Sequence, residues 1–241
     1  GEGEIEVSVF GDIDPEATVL ALGQTFGALP PRPPLAPIDQ RDAPTFPASN
    51  SVPHVLLHDG DADQAAALVA WPTGGGSPGL PQSRKLDVLA QLIGNRLLDG
   101  LREEAGSAYT PFASSNWPLD LDRGGYLLAL VQLAPGDVDA VFTEVDAIVA
   151  DLATDGPTDD ELARVIEPMR QYILRAQNSH AFWQHELAGG LYDPYRLGHL
   201  PTLATDYVYT SREEIQALAQ RYLVGHGGYR VAVLPRSAQT P

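Results

Sequence analysis

The chain has 241 residues, no cysteine and a formal net charge of −17 at pH 7. Its length suits one large domain or one and a half, and its acidic balance argues against nucleic-acid binding, which needs basic patches. Without cysteine there are no disulfides, thiolate zinc sites or cysteine nucleophiles. Charges interrupt every apolar run well short of a bilayer's thickness, so no membrane span is expected.

The start of the chain predicts a short strand followed by a helix. Residues 4–10 alternate apolar and polar side chains, which is typical of a strand. Asp14 can cap a helix and Pro15 suits its first turn, so a helix is predicted from there to about Phe26.

A proline-rich stretch without periodicity follows, from residue 29 to residue 53. This composition predicts an extended, semi-rigid linker. We therefore divide the chain into a terminal strand–helix piece (1–30), a linker (31–53) and a body (54–241).

The sequence of the body predicts a sheet with helices. The predicted elements are strands near 54–57 and 64–71, a helix from about 82, strands at 108–116 and 126–134, helices at 137–152, after 158 and after 211, and a strand at 229–234. Two helix starts carry capping boxes, Thr158 with Glu161 and Ser211 with Glu214, and Pro168 should kink the first of these helices. This order predicts an α+β fold with a mixed or antiparallel sheet and helices packed on one face.

Two stretches invite a metal hypothesis. The sequence HDGDAD (58–63) opens like a calcium loop, but the loop's sixth and twelfth positions are Gln64 and Ala70, so a solvated turn is favoured. His180, His185 and Glu186 invite a zinc hypothesis, but the histidines are five residues apart and point to different sides of a helix. We expect no metal site on this chain.

Other catalytic motifs are missing from the sequence. Neither HExxH nor HxxEH occurs, and there is no GxSxG elbow and no dinucleotide fingerprint. The glycine-rich stretch GGGSPG (74–79) lacks the lysine and spacing of a phosphate-binding loop and is interpreted as an ordinary loop.

Arg102 and Tyr109 stand seven residues apart around the turn in LREEAGSAYTP. In one interpretation Arg102 complements the helix dipole and Tyr109 buries its ring in the core. In the other, both donors converge where the helix meets the strand and hold a peptide carbonyl. The residues alone favour the first.

The segment LREEAGSAYTP resembles the "LRE…G-AY" segment of the pitrilysin/insulinase family of zinc metallopeptidases, in the non-catalytic half. The head IEVSVFGDIDPEATVLALGQTFGALP is similar to the end of the family's preceding domain. The stretch from Gly124 to Val165 is similar to the family's strand, amphipathic helix and capped helix. The resemblance implies a domain like those of the mitochondrial processing peptidase.

In that family the zinc site, HxxEH plus a distant Glu, lies in the other half. The corresponding helix here is AQLIGNRL (90–97), without His or Glu, so the resemblance implies zinc in a partner half and none on this chain. It also assigns Arg102 and Tyr109 to substrate binding and transition-state support, with Tyr109 on the carbonyl near the scissile bond and Arg102 on the peptide backbone or on Tyr109.

The resemblance implies the substrate-binding, active-site-closing half of a zinc endopeptidase that acts on peptides and is inactive alone. Its partner would be the HxxEH-bearing half, on the same chain or on a separate subunit, with an extracytoplasmic location preferred. Two alternatives stay open: a catalytically dead family member that serves as a subunit or scaffold, and a free-standing module with a ligand in a groove near residues 74–79.

Overall fold

A five-stranded mixed sheet, backed by helices on one face, forms the centre of the molecule. The computed structural model describes residues 5–33, 39–104 and 110–236, without the side chains of 42, 102–104 and 110. The strands are β1 (His54–His58), β2 (Ala65–Pro72), β3 (Thr110–Asn116), β4 (Tyr126–Leu133) and β5 (Tyr229–Pro235). The helices are α1 (Pro15–Gln24), α2 (Leu80–Glu104), α3 (Val138–Thr154), α4 (Asp159–Ala176), α5 (His180–Leu187), α6 (Pro194–Gly198), α7 (Leu203–Val208) and α8 (Arg212–Leu218).

The strand order across the sheet is β1-β5-β2-β4-β3. β1 runs parallel to β5, and the other neighbouring strands are antiparallel. β1 and β3 are therefore the two edges. The predicted α+β fold, with a mixed sheet and helices on one face, is confirmed.

The core lies between the sheet and the helices α2, α3 and α8. Alternate residues of each strand face it, for example Ala67, Val131 and Ala232, which lie side by side in three neighbouring strands. α2 contributes a stripe of fully buried apolar residues: Leu86, Leu89, Ile93 and Leu97. Gly94 of α2 lies against β3, and a Cβ at this position would lie at an ordinary packing distance, 3.6 Å, from the Cβ of Ala113.

Both predicted capping boxes are confirmed. Thr158 and Glu161 exchange side-chain and backbone hydrogen bonds at the start of α4, and Ser211 and Glu214 do the same at α8. Beyond Leu218 the helix α8 widens into a π-helical turn that buries Tyr222. Such caps satisfy backbone N–H groups that a helix start otherwise leaves unpaired.

The predicted strand at 4–10 is wrong for the described residues 5–10, which pair with no strand in the part of the chain that the structure describes. Instead, the Glu6 carboxylate accepts hydrogen bonds from the N–H groups of Gly189 (2.5 Å) and Leu191 (3.0 Å). The helix α1 that follows is confirmed, with Asp14 as its cap.

The described part of the linker is fastened to the body rather than standing free. Gln40 hydrogen-bonds to the backbone of Asp120 and Asp122, and the Asn50 side chain exchanges hydrogen bonds with the backbone of Arg230. The linker therefore crosses one end of the sheet, from the start of β4 to the start of β5.

Candidate functional site

The two predicted clamp residues fall at the junction of α2 and β3. Residue 102 lies in the last described turn of α2, but its side chain is not described, and Tyr109 lies outside the described residues, one position before β3. In the sequence, five residues separate the end of α2 from the start of β3. The convergence of the two side chains therefore stays a prediction.

The helix segment that would carry HxxEH lies in the middle of α2 and does not fit a zinc ion. Ala90, Leu92, Ile93 and Leu97 are all buried in the apolar core, and none has a metal-ligating atom. Within the described residues no group of three or more His, Asp or Glu side chains is arranged to hold a metal.

The residues of the rejected metal motifs have other contacts. Asp59 of the HDGDAD turn pairs with Arg236 at 2.8 Å, and Arg236 lowers the pKa of this carboxyl. The His180 ring contacts the Phe10 ring edge-on, with centroids 5.4 Å apart. His185 and Glu186 instead face a cavity between the helices.

The face of the sheet opposite the helices carries an apolar stripe. The register sets Phe112, Leu130, Leu68 and Val231 side by side across four strands. Phe112 is 53% exposed, and the other three are only partly buried. We call this surface, together with Leu128, Val233 and Leu56, the open sheet face.

The stripe ends at the edge strand β3, which begins one residue after Tyr109. β3 pairs with β4 on one side and with no described strand on the other. Its outer backbone groups can therefore accept an added strand. The edge strand β3 and the open sheet face thus adjoin one another.

A cavity of about 770 Å³ lies on the helical side of the molecule. α2, α4, α5, α6 and α7 and the loop before β4 supply its walls. The apolar lining consists mainly of Leu80, Leu119, Met169, Tyr172, Ile173, Phe182, Leu203 and Tyr207. The polar lining includes the charged residues Arg84, Asp120, Glu186 and Arg196 and the imidazole of His185.

A buried polar network supports the floor of this cavity. Arg84, only 6% exposed at its side chain, pairs with Asp206 at 2.5 Å and donates to the carbonyl oxygen of His199 at 3.0 Å. The Tyr207 hydroxyl donates to the Asp87 carboxylate at 2.9 Å. Burial raises the pKa of Asp87 to about 6, although the hydrogen bond from Tyr207 opposes the shift.

Sequence reasoning missed this cavity, because its walls come from residues more than a hundred positions apart. The usable signals were an arginine within the apolar stripe of α2 and the aromatic-rich stretch after Ser179. The glycine-rich stretch 74–79 lies immediately before Leu80 and packs tightly, with the Trp117 indole N–H donating to the carbonyl oxygen of Gly76 at 2.8 Å.

A family model described as the peptidase M16 inactive domain matches residues 2–169. The chain therefore belongs to the family of M16 peptidase inactive domains. A comparison with curated proteins finds no significant match.

Solved structures share the fold. The peptidase M16 inactive domain from Pseudomonas fluorescens superposes with a TM-score of 0.73 at 21% identity, over 96% of this chain and 54% of that one. The periplasmic protease PqqL from Escherichia coli gives 0.70 at 16% identity, over 94% and 25%. The ferredoxin protease FusC, in a complex with Arabidopsis ferredoxin, gives 0.69 at 15%, over 92% and 24%.

The chain thus spans about half of the first of these structures and about a quarter of the other two. At these identities the likeness shows the fold alone. In the described part of the chain, every helix is too short or too polar to cross a membrane.

Proposed function

We propose that this chain is the substrate-binding, active-site-closing half of a zinc-dependent endopeptidase that acts on peptides. It is inactive without an HxxEH-bearing half, carried on the same longer chain or on a separate subunit. The observation that carries the proposal is the open sheet face, which continues into the edge strand β3. Arg102 and Tyr109 shortly precede this strand in the sequence.

An extended peptide fits this surface. Added to the free edge of β3, it would form main-chain hydrogen bonds that do not depend on its sequence. Its apolar side chains would then pack on Phe112 and the neighbouring leucines. Pro111 within β3 supports an exposed edge, because proline lacks an N–H and is tolerated in edge strands.

Arg102 and Tyr109 take the substrate-binding and transition-state roles in this proposal. The guanidinium offers several N–H donors and the phenol one O–H donor. Tyr109 would donate to the carbonyl near the scissile bond, and Arg102 would hold the peptide backbone or the tyrosine. Zinc and the nucleophilic water would belong to the other half.

The described part of the head (residues 5–30) supports a two-domain assembly. Glu6 and Phe10 contact the body, and the apolar side chains of Ile5, Val7 and Val9 alternate with them along the segment. All four apolar residues are about equally exposed, Phe10 by 38%. Such alternation is typical of a strand with one face on each of two neighbours. We propose that the head ends a preceding domain whose sheet pairs with residues 5–10, that 31–53 links the domains, and that 54–241 is the second domain.

The proposed substrate class rests on the free sheet edge, and the proposed compartment rests on the likeness to PqqL. An edge strand accepts extended chains, so short peptides and unfolded segments are the proposed substrates. PqqL is a periplasmic protease and FusC is a ferredoxin protease. An extracytoplasmic location is proposed for this chain on the same likeness.

Cleavage of a quenched fluorescent peptide tests the proposal. The chain alone should not cleave the peptide, and combining it with the HxxEH-bearing half should give zinc-dependent cleavage. Phe112→Ser should lower kcat/KM about tenfold through lost apolar contact. Val224→Ser, at another exposed residue on the helical side, is the matched control. Cleavage by the chain alone, or equal activity of the two variants, would overturn the proposal.

A scaffold role in the same assembly is the rival with the same fold. It predicts an intact complex whose activity does not change when Phe112, Arg102 or Tyr109 is substituted. The free-standing binding module is favoured by a separate observation, the cavity on the helical side next to the glycine-rich stretch 74–79.

A further inference from the structure

The cavity on the helical side is separate from the proposed peptide site. Arg84 on its floor and Arg102 lie on the same helix, eighteen residues apart in sequence, which places them about 27 Å apart along the helix axis. The helices also lie on the face of the sheet opposite Phe112. A ligand in the cavity would therefore not compete with a peptide on the open sheet face.

The cavity has the form of a small-molecule site. Its volume of about 770 Å³ lies within the usual range of ligand pockets. Three aromatic rings, those of Tyr172, Phe182 and Tyr207, line it together with aliphatic side chains. An apolar body of eight to ten carbon atoms on the order of 200 Å³ would fit inside.

The two arginine side chains that line the cavity already pair with carboxylates. Arg84 pairs with Asp206. Arg196 pairs with Asp120 at 3.1 Å and lies 3.7 Å from Asp193. These guanidinium groups leave little net positive charge for an anionic ligand.

Of the two acidic residues that line the cavity, Asp120 pairs with Arg196, whereas Glu186 has no ionic partner in the described part of the chain. It is half-buried, lines the cavity, and makes no ion pair or hydrogen bond with any residue in the described part of the chain. Glu186 and Tyr207 line the same cavity. Burial, Asp87 and, to a smaller extent, Glu186 raise the pKa of the Tyr207 hydroxyl. A half-buried carboxylate among aromatic rings favours a cationic partner.

We infer that this cavity binds an organic cation with an apolar body, an amine whose ammonium group pairs with Glu186 while its hydrocarbon packs among Tyr172, Phe182 and Tyr207. The aromatic faces add cation–π attraction to the ion pair. The apolar walls set the length of hydrocarbon that is accepted, and the carboxylate sets the charge.

Three probes with the same eight-carbon hydrocarbon chain test this inference on the full chain by isothermal titration calorimetry: octylamine, octanol and nonanoate. Octylamine should bind at least about tenfold more tightly than the other two, the factor given by about 1.4 kcal/mol. Ala188→Trp should weaken binding of octylamine at least about tenfold by narrowing the cavity. Ala188 is an exposed residue at the rim, so this variant should still fold.

The charge of Glu186 needs its own control, because the chain's net charge of −17 attracts any ammonium ion weakly. Glu186→Gln should abolish the preference for octylamine over octanol. Asp63→Asn removes an exposed carboxylate elsewhere and should leave the preference intact. Equal binding of the three probes, tighter binding of nonanoate, or a preference that survives Glu186→Gln would overturn the inference.

Discussion

The ring of Phe10 stacks on the indole of Trp183, with centroids 5.8 Å apart and planes at 25°. This contact joins the head to α5, one wall of the cavity. Glu6 adds a second attachment through the backbone of Gly189 and Leu191. The head therefore positions α5, whose own residues are none of them fully buried.

The first prediction concerns this attachment. Phe10→Ala should speed hydrogen exchange of the Gly189 and Leu191 amides about fivefold, because roughly 1 kcal/mol of ring contact is lost. Val7→Ala removes apolar surface from the opposite side of the same segment and should leave both amides unchanged. Unchanged exchange in Phe10→Ala would show that the head does not hold α5.

The second prediction concerns the glycine-rich stretch 74–79. A Cβ on Gly75 would overlap the carbonyl oxygen of Leu121 and approach the backbone nitrogen of Arg123 to 2.9 Å. Gly75→Ala should therefore lower the free energy of unfolding by about 2 kcal/mol in urea. Gly136→Ala, where a Cβ meets nothing within 4 Å, is the control. Equal stability of the two variants would contradict this packing.

The third prediction concerns pH and the buried Asp87. The pKa of Asp87 in the folded state is about 6, above the usual value of 3.8. Between these two pH values the carboxyl is therefore mostly protonated in the folded state and mostly ionised in the unfolded state. This carboxyl therefore lowers stability as pH rises from about 4 to 6, by roughly 2 to 3 kcal/mol in all. Asp87→Asn keeps an acceptor for Tyr207 but does not titrate.

The measurement is the free energy of unfolding of both proteins from pH 4 to pH 8. The free energy of unfolding of the variant should rise relative to that of the wild type between about pH 4 and 6. The difference between the two proteins should be constant above pH 7. A difference that does not change with pH would show that Asp87 is not held in a protonated form by the fold.

The sequence predicted those elements whose signals are local. The capping boxes at Thr158 and Ser211 place two helix starts, and alternation or apolar stripes place the strands and α2. The strand at 4–10 is wrong for the described residues because a strand needs a hydrogen-bonding neighbour, and none of the described strands supplies one.

The cavity could not be predicted because it depends on tertiary packing. α5, α6 and α7 are only five to eight residues long, so they lack the long apolar stripe that identifies a helix. Glu186 looked like a candidate zinc ligand in sequence and lies instead in a cavity with aromatic walls. The roles of Arg102 and Tyr109 rest on resemblance and remain predictions.

The central claim is that Arg102 and Tyr109 support peptide cleavage in the assembled enzyme. Its most direct test is kcat/KM for a quenched fluorescent peptide, measured with zinc and the HxxEH-bearing half for Arg102→Ala and Tyr109→Phe. Arg175→Ala and Tyr209→Phe, at exposed residues elsewhere, are matched controls. We predict a loss of about tenfold or more, equal to about 1.4 kcal/mol of transition-state stabilisation, in the first pair only. Full activity of both Arg102→Ala and Tyr109→Phe would contradict the claim and favour the scaffold role.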